Sequence, residues 1–447
     1  MIQPVSILNR RNEASSGPKD SDEEIFDAKE NRNVPLSEQG LQRLKHLTWA
    51  WFTFPMATGG LALLLSPDNQ PHTFTGLETI GKVVYIIDLC IFTLTVAGIT
   101  YRFLKWPGTL KASLAHPTES LFFGTSFLSL ASIIAAMAHY AIPACGPWLV
   151  VTYRVLFWIY FAATFLIAVA AYLVLFTNPR LKIQDMTPAW DLPMFPFMLC
   201  GTIASSGIGA QPRTYAMPML FGGLTAQGLG MLVSMGMYAS YVRRMIMYGL
   251  PSPSSRPAMF IAVGPPSFTA LALIGLADHW PNSAQGSGSG PGSGPGSGSG
   301  SGYDYFDGPD AITAQVVRIL AVMVAVFVWS LSFWFFCISV VSCVAARGKY
   351  RFHLNWWAFV FPNVGFTLAT INIGKSLKSE GVQWVGSVMT VGLVATYFFV
   401  LFHHVRAVWN NDVLYLGKDE DNYHPEKMAK VESRGEDPEK CVCVSGS

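Results

Sequence analysis

The stretch WWAFVFPNVGFTLATINIG, residues 356–374, decides how this chain is read. It is apolar and nearly the length of about 20 residues that a helix needs to cross ~30 Å of hydrocarbon. Yet Pro362 interrupts it, and Gly, Asn and Thr follow. A proline inside a helix frees a carbonyl and bends the chain. In a bilayer that is tolerated where the backbone is buried in protein or lines a cavity. Three other stretches repeat the pattern: FTFPMATGGLALL (52–64), PMFPFMLCGTIASS (193–206) and AVGPPSFTALALIG (262–275). A fourth, SLFFGTSFLSLAS (120–132), carries Gly124 in the place of the proline. Aligning Pro55, Gly124, Pro196, Pro265 and Pro362 gives intervals of 69, 72, 69 and 97 residues. The last interval contains QGSGSGPGSGPGSGSGSG (285–302), and shrinks toward the others once that tract and its flanks are set aside. The chain is therefore built on an internal repeat.

Composition agrees. Of 447 residues, 51% are hydrophobic and only 13% charged, against about 25% charged in soluble domains. A net charge of +2 leaves no basic field to hold nucleic acid. Apolar stretches of spanning length fall at 47–66, 79–101, 118–140, 148–176, 190–210, 216–242, 257–279, 312–345, 352–374 and 382–405. The expected fold class is all-α integral membrane, with ten transmembrane helices arranged as five helical hairpins around a central pore. The expected boundaries are a disordered cytoplasmic tail at 1–42, the membrane domain at 43–409 with a flexible outer loop at 280–311, and a second cytoplasmic tail at 410–447. With the N-terminus inside, the inner connections carry fourteen Lys and Arg and the outer ones only Arg213, Lys375 and Lys378. That asymmetry is the positive-inside pattern and puts both termini in the cytoplasm. The polar N-terminus has no long apolar core and does not read as a signal peptide.

The proline-bearing spans are rich in small and hydroxyl residues, which suits an inner ring. The alternate spans are bulkier, which suits an outer ring against lipid or a neighbouring subunit. The aligned positions Pro55, Gly124, Pro196, Pro265 and Pro362 are expected to kink the inner helices. The passage between them is lined by neutral groups, chiefly Thr58, Ser126, Ser205, Ser267, Asn363 and Thr367, within a wider set that includes Thr53, Thr125 and Thr202. No row of carboxylates lines these spans, which argues against a metal-cation path. Neutral donors at bent helices hold small anions without a full buried charge, and Arg213 at the outer mouth draws them in. Phe54, Phe195 and Phe361 each precede an aligned proline, a position from which a ring can occlude a narrow pore; plain packing is the alternative. Asp88, Arg154 and Arg318 lie in the outer spans and read as helix–helix or subunit-interface pairs. His116, Glu119 and Asp191, near inner ends, read as interfacial caps or a proton-linked gate.

Enzyme chemistry finds no apparatus. GLETIGKV (76–83) resembles a phosphate-binding loop, but Val83 stands where Ser or Thr is required. The nine histidines form no H-E-x-x-H pair, and no G-x-S-x-G elbow is present. The seven cysteines, including Cys441 and Cys443 in the tail, show no metal or disulfide spacing. No cofactor and no metal are expected.

Several stretches carry a resemblance: RLKHLTWAWFTFPMATGG (43–60), GLETIGKVVYI (76–86), PAWDLPMFPFMLCGTIA (188–204), RPAMFIAVGPPSFTALALI (256–274), NWWAFVFPNVGF (355–366) and NDVLYLGKDED (411–421). Together they resemble the tellurite-resistance/dicarboxylate transporter family, and FPNVGF with GPPSF resembles its fungal malate-transporting branch. The resemblance implies a ten-helix bundle of five hairpins around a pore, usually a homotrimer, related to the plant slow anion channels. It implies a phenylalanine gate on the ninth span, which WWAFVFP places at Phe361. It also implies small C4-dicarboxylate anions as substrates, in a plasma membrane whose lipid surrounds the outer helices. Coupling of this transport to protons is left open, and export of sulfite or another inorganic anion and a receptor or sensor role stand as alternatives.

Overall fold

The computed structural model describes residues 43–115, 119–177, 183–280, 310–348, 352–410 and 412–414. Residues 1–42 and 415–447 of the expected tails, His116 and the Gly-Ser tract lie outside these residues. Residues up to Lys45 form a separate N-terminal unit, of which only the residues from Arg43 are described. The unit from His46 onward carries the architecture.

Its principal helices are α1 (Thr53–Leu64), α2 (Leu77–Lys105), α3 (Glu119–Tyr140), α4 (Pro147–Thr177), α5 (Cys200–Gly207), α6 (Arg213–Tyr248), α7 (Gly264–Asp278), α8 (Asp310–Ala345), α9 (Phe361–Ser376) and α10 (Glu380–Trp409). Among the described residues there is no strand. The repeat prolines do not kink these helices midway, as the sequence suggested. They mark where the helices begin. Pro265 and Pro362 are the second residues of α7 and α9, Pro55 is the third of α1, and Pro196 opens a short helix, Phe195–Met198, ahead of α5. Proline lacks an N–H and has φ preset for a helix, so the first turn is where it costs least. The residues ahead of it run as 3-10 turns, at Trp49–Phe52, Pro188–Asp191, Pro253–Val263 and Leu354–Phe359.

Gly124 is a second correction: α3 runs through it unbroken. A Cβ on Gly124 would collide with the Leu192 carbonyl. That carbonyl sits four residues before Pro196, which has no N–H to give it. Gly124 thus buys closeness between α3 and the segment ahead of α5. The same logic operates at Ala262, four residues before Pro266. Its stranded carbonyl accepts the Tyr238 hydroxyl from α6 at 3.0 Å. Buried backbone acceptors in a bilayer need such partners.

Seven of the described helical stretches are long and apolar enough to cross a membrane: α2, α3, α4, α6, α8, α10 and Pro253–Asp278, which ends in α7. α1, α5 and α9 are shorter because the turns at their starts divide them. Burial separates two classes. Only 22% of the apolar window of α2 and 28% of that of α4 and α10 is buried, against 67% for α3 and 89% for Pro253–Asp278. In α1 every residue but Phe54 is buried. The exposed faces carry Leu94, Leu166, Phe327 and Phe402, an apolar surface that suits lipid and not water. The buried helices touch in a closed cycle: α1 on α3, α3 on α5, α5 on α7, α7 on α9, α9 on α1. Each exposed helix packs against the buried one that precedes it.

Candidate functional site

Three phenylalanine rings meet at the centre of the cycle. Phe361, the first residue of α9, stacks on Phe268 of α7 at 5.1 Å between ring centroids. Phe195 meets Phe361 edge-on at 6.2 Å and Phe268 at 5.8 Å. All three are buried. Glycines make the sockets. A Cβ on Gly60 would lie 3.0 Å from the Phe361 ring, one on Gly264 would lie 2.6 Å from Phe195, and one on Gly365 would lie 2.7 Å from Phe268. The small residues of the repeat therefore let aromatic rings reach the middle. Phe268 was missed from sequence, because it stands three residues after the aligned proline and not before it. The GPPSF motif that contains it was the available signal.

Phe54 does not join the cluster, although it shares the repeat position. Its ring stacks on Trp357 at 4.9 Å and meets His404 at 5.2 Å.

Phe361 is also the wall common to two small cavities. The lower one, on the side where α1 and α9 begin, is lined by Thr53, Met56, Thr125, Phe195 and Asn355 among others. The upper one, toward which those helices run, is lined by Gly60, Ser132, Thr202, Phe268 and Val364 among others. No charged side chain lines either. Each holds no more than about one or two water molecules, so the centre is closed to a solute.

The expected polar path is only partly at these cavities. Thr53, Thr125 and Thr202 line them. Thr58, Ser126, Ser205, Ser267, Asn363 and Thr367 do not. Thr58 bonds to the Tyr397 hydroxyl of α10 at 3.0 Å, and Ser267 donates to Ser332 of α8 at 3.0 Å. Ser126, Ser205, Asn363 and Thr367 donate to carbonyls three or four residues back, at 2.7 to 2.9 Å, as hydroxyls and amides within helices commonly do. Arg213 opens α6 and is half-buried. Lys375 is tethered by donating to the Asp68 carbonyl at 2.7 Å. The bond between His139 and Asp68 holds the Asp68 carboxyl below its usual range, against a burial effect in the other direction.

The remaining charges divide clearly. Glu119 pairs with Arg102 at 2.8 Å, both buried, and Arg102 also donates to the Leu47 carbonyl. Asp191 accepts from Ser234 at 2.6 Å. The Arg154 guanidinium lies 3.5 Å from the centre of the Tyr215 ring, and Arg318 pairs with Asp278 at 3.0 Å. Asp88 is the exception. It is fully buried, and among the described residues no side chain bonds to its carboxyl oxygens; the backbone N–H of Gly59 is turned toward it. The pairing expected for it is not there.

Apolar-faced helices around an uncharged, ring-blocked centre define a multi-pass membrane protein. The chain belongs to the SLAC1 family of voltage-dependent anion channels, which it matches over residues 46–405. It is 39% identical to the malic acid transport protein of Schizosaccharomyces pombe, over 88% of this chain and 85% of that one. A putative malic acid transport protein of the same yeast is 35% identical, over 85% and 84%. A sulfite efflux pump of Trichophyton rubrum is 27% identical, over 78% and 87%.

Proposed function

We propose that the protein carries malate and related C4-dicarboxylate anions across the plasma membrane. The two relatives named for malic acid transport support this substrate class. In this reading residues 43–409 form ten spans in five hairpins, with both tails cytoplasmic as the Lys and Arg distribution implies. Three copies associate through their outer helices, and each has its own central pore. The observation that carries the proposal is the Phe195, Phe268 and Phe361 cluster between two uncharged cavities at the centre of the cycle. A pore for anions needs neutral donors and no carboxylate ring. Of the threonines that line the cavities, Thr202 keeps an unbonded hydroxyl among the described residues, while Thr53 donates to the Ala50 carbonyl and Thr125 to those of Trp49 and Phe122. Phe361 is the gate. It moves aside to join the cavities, and Phe195 closes around it. In the closed form Thr58 and Ser267 tie buried helices to exposed ones, while Ser126, Ser205, Asn363 and Thr367 bond within their own segments. Arg213 collects anions at the outer mouth.

Export of sulfite is the second reading, favoured by the likeness to the sulfite efflux pump. Uptake of labelled malate into vesicles containing the purified protein separates the two. Malate uptake that succinate suppresses and sulfite or nitrate does not is the expected result. Uptake of sulfite without uptake of malate would overturn the first reading.

A further inference from the structure

We infer that Asp88 is the proton-binding residue of transport, and that its protonation is linked to an anion in the upper cavity. The inference rests on the transport reading above and adds the residue and the coupling.

Asp88 lies near the middle of α2, an outer helix, but its side chain points inward. Its Oδ2 stands 2.5 Å from the place where a Cβ on Gly59 would be, and the Ser132 hydroxyl crowds the same place. Gly59 is followed by Gly60, and Gly60 and Ser132 both line the upper cavity. The carboxyl is thus one layer behind the cavity wall, and the missing Cβ of Gly59 is what makes room for it. Among the described residues no cation accompanies it. Around it α1 and the Trp49–Phe52 turn carry no titratable group. On α3, Glu119 is paired with Arg102, Tyr140 donates to the Ala62 carbonyl, and His139 bonds to Asp68 at the outer end. The short helix Thr109–Ala115 offers only Lys111, which is exposed. On α2 itself, Tyr85 is nearest and donates to the Ile133 carbonyl. From α10, the Tyr397 hydroxyl is bonded to Thr58. The Ser132 hydroxyl proton goes to the Ser129 carbonyl at 2.8 Å.

An intramembrane carboxyl with no counter-charge and no side-chain donor among the described residues, only the backbone N–H of Gly59, is a site of function by default. What it can exchange here is a proton. A solute anion in the upper cavity would repel a carboxylate one layer away, so the anion favours the protonated carboxyl. By reciprocity the protonated carboxyl favours the anion to the same degree. One proton, taken onto a carboxylate oxygen from the side where the anion enters, leaves with it on the other. The uncharged lining of the cavity does not provide this linkage, since hydroxyls do not titrate.

The test uses the full chain in vesicles loaded with a pH dye, with an inward malate gradient. Wild type is expected to acidify the lumen as malate enters, and an inward proton gradient should speed uptake. Asp88→Asn is expected to lose the dye signal and the response to the proton gradient, while keeping malate uptake driven by malate alone. Asp88→Glu should regain the dye signal. Asp88→Asn vesicles that still acidify in step with malate would overturn the inference. So would a malate rate lowered equally at every pH, the mark of a structural role. If wild type carries sulfite and not malate, the substrate reading falls, and the same comparison is read with sulfite. If Asp88→Asn does not fold, infrared difference spectra of wild type and Asp88→Glu on adding the anion decide. A protonated-carboxyl band that grows, and shifts in Asp88→Glu, supports the inference. The absence of such a band overturns it.

Discussion

At Gly365 a single methyl group is enough to test how the centre is packed. Its Cβ would stand 2.7 Å from the Phe268 ring, closer than real Cβ contacts come. The ring cannot withdraw freely, because Phe361 stacks on it and Phe195 meets it edge-on. Gly365→Ala is therefore expected to cost about 1–3 kcal/mol, the usual range for overpacking a filled core. The measurement is the thermal midpoint of the purified protein in detergent. An unchanged midpoint would mean that the ring has somewhere to go, and that the cluster is looser than described. The glycines could be read in sequence as a small-residue pattern. Which ring each one seats could not, because the rings come from segments far apart in the chain. Phe54 shows the same limit. It shares a repeat position with Phe195 and Phe361, yet it packs against Trp357 and His404.

At the scale of the element, the prolines set helix starts. Pro362 is the second residue of α9, where no helical N–H bond is lost. Pro362→Ala should then change stability by only about 0.4–1 kcal/mol, through the freedom it returns to the unfolded chain. Leu368→Pro, in the middle of the same helix, should cost about 3 kcal/mol or more. Denaturation of both variants side by side checks this. A large loss in Pro362→Ala would return Pro362 to the role of a structural kink. The repeat, the helical class and the division into buried and exposed helices were all legible in the sequence, since small residues and proline on one set and bulk on the other are local features. Whether a proline bends a helix or begins one was not legible. That depends on whether the freed carbonyls find partners, and those partners are distant: the Tyr238 hydroxyl reaches Ala262 from another helix. Gly124 looked like a fifth break and is a point of close approach, for the same reason. Asp88 was visible as a charge in an apolar helix, but its lack of a side-chain partner required the fold.

For the whole molecule, the decisive arrangement is an apolar exterior around a closed cycle with an uncharged centre. The exposed helices give the exterior its lipid-facing side chains, and the cycle of buried helices leaves Phe361 between the two cavities. If that ring is the barrier, its removal joins them. The measurement is the initial rate of malate uptake into vesicles by wild type, Phe361→Ala and Phe54→Ala at matched protein content. Phe361→Ala is expected to raise the rate about tenfold, equivalent to ~1.4 kcal/mol off the barrier, and Phe54→Ala to stay near wild type. A folded Phe361→Ala protein with an unchanged or lower rate, or a Phe54→Ala protein that matches the increase, would contradict it.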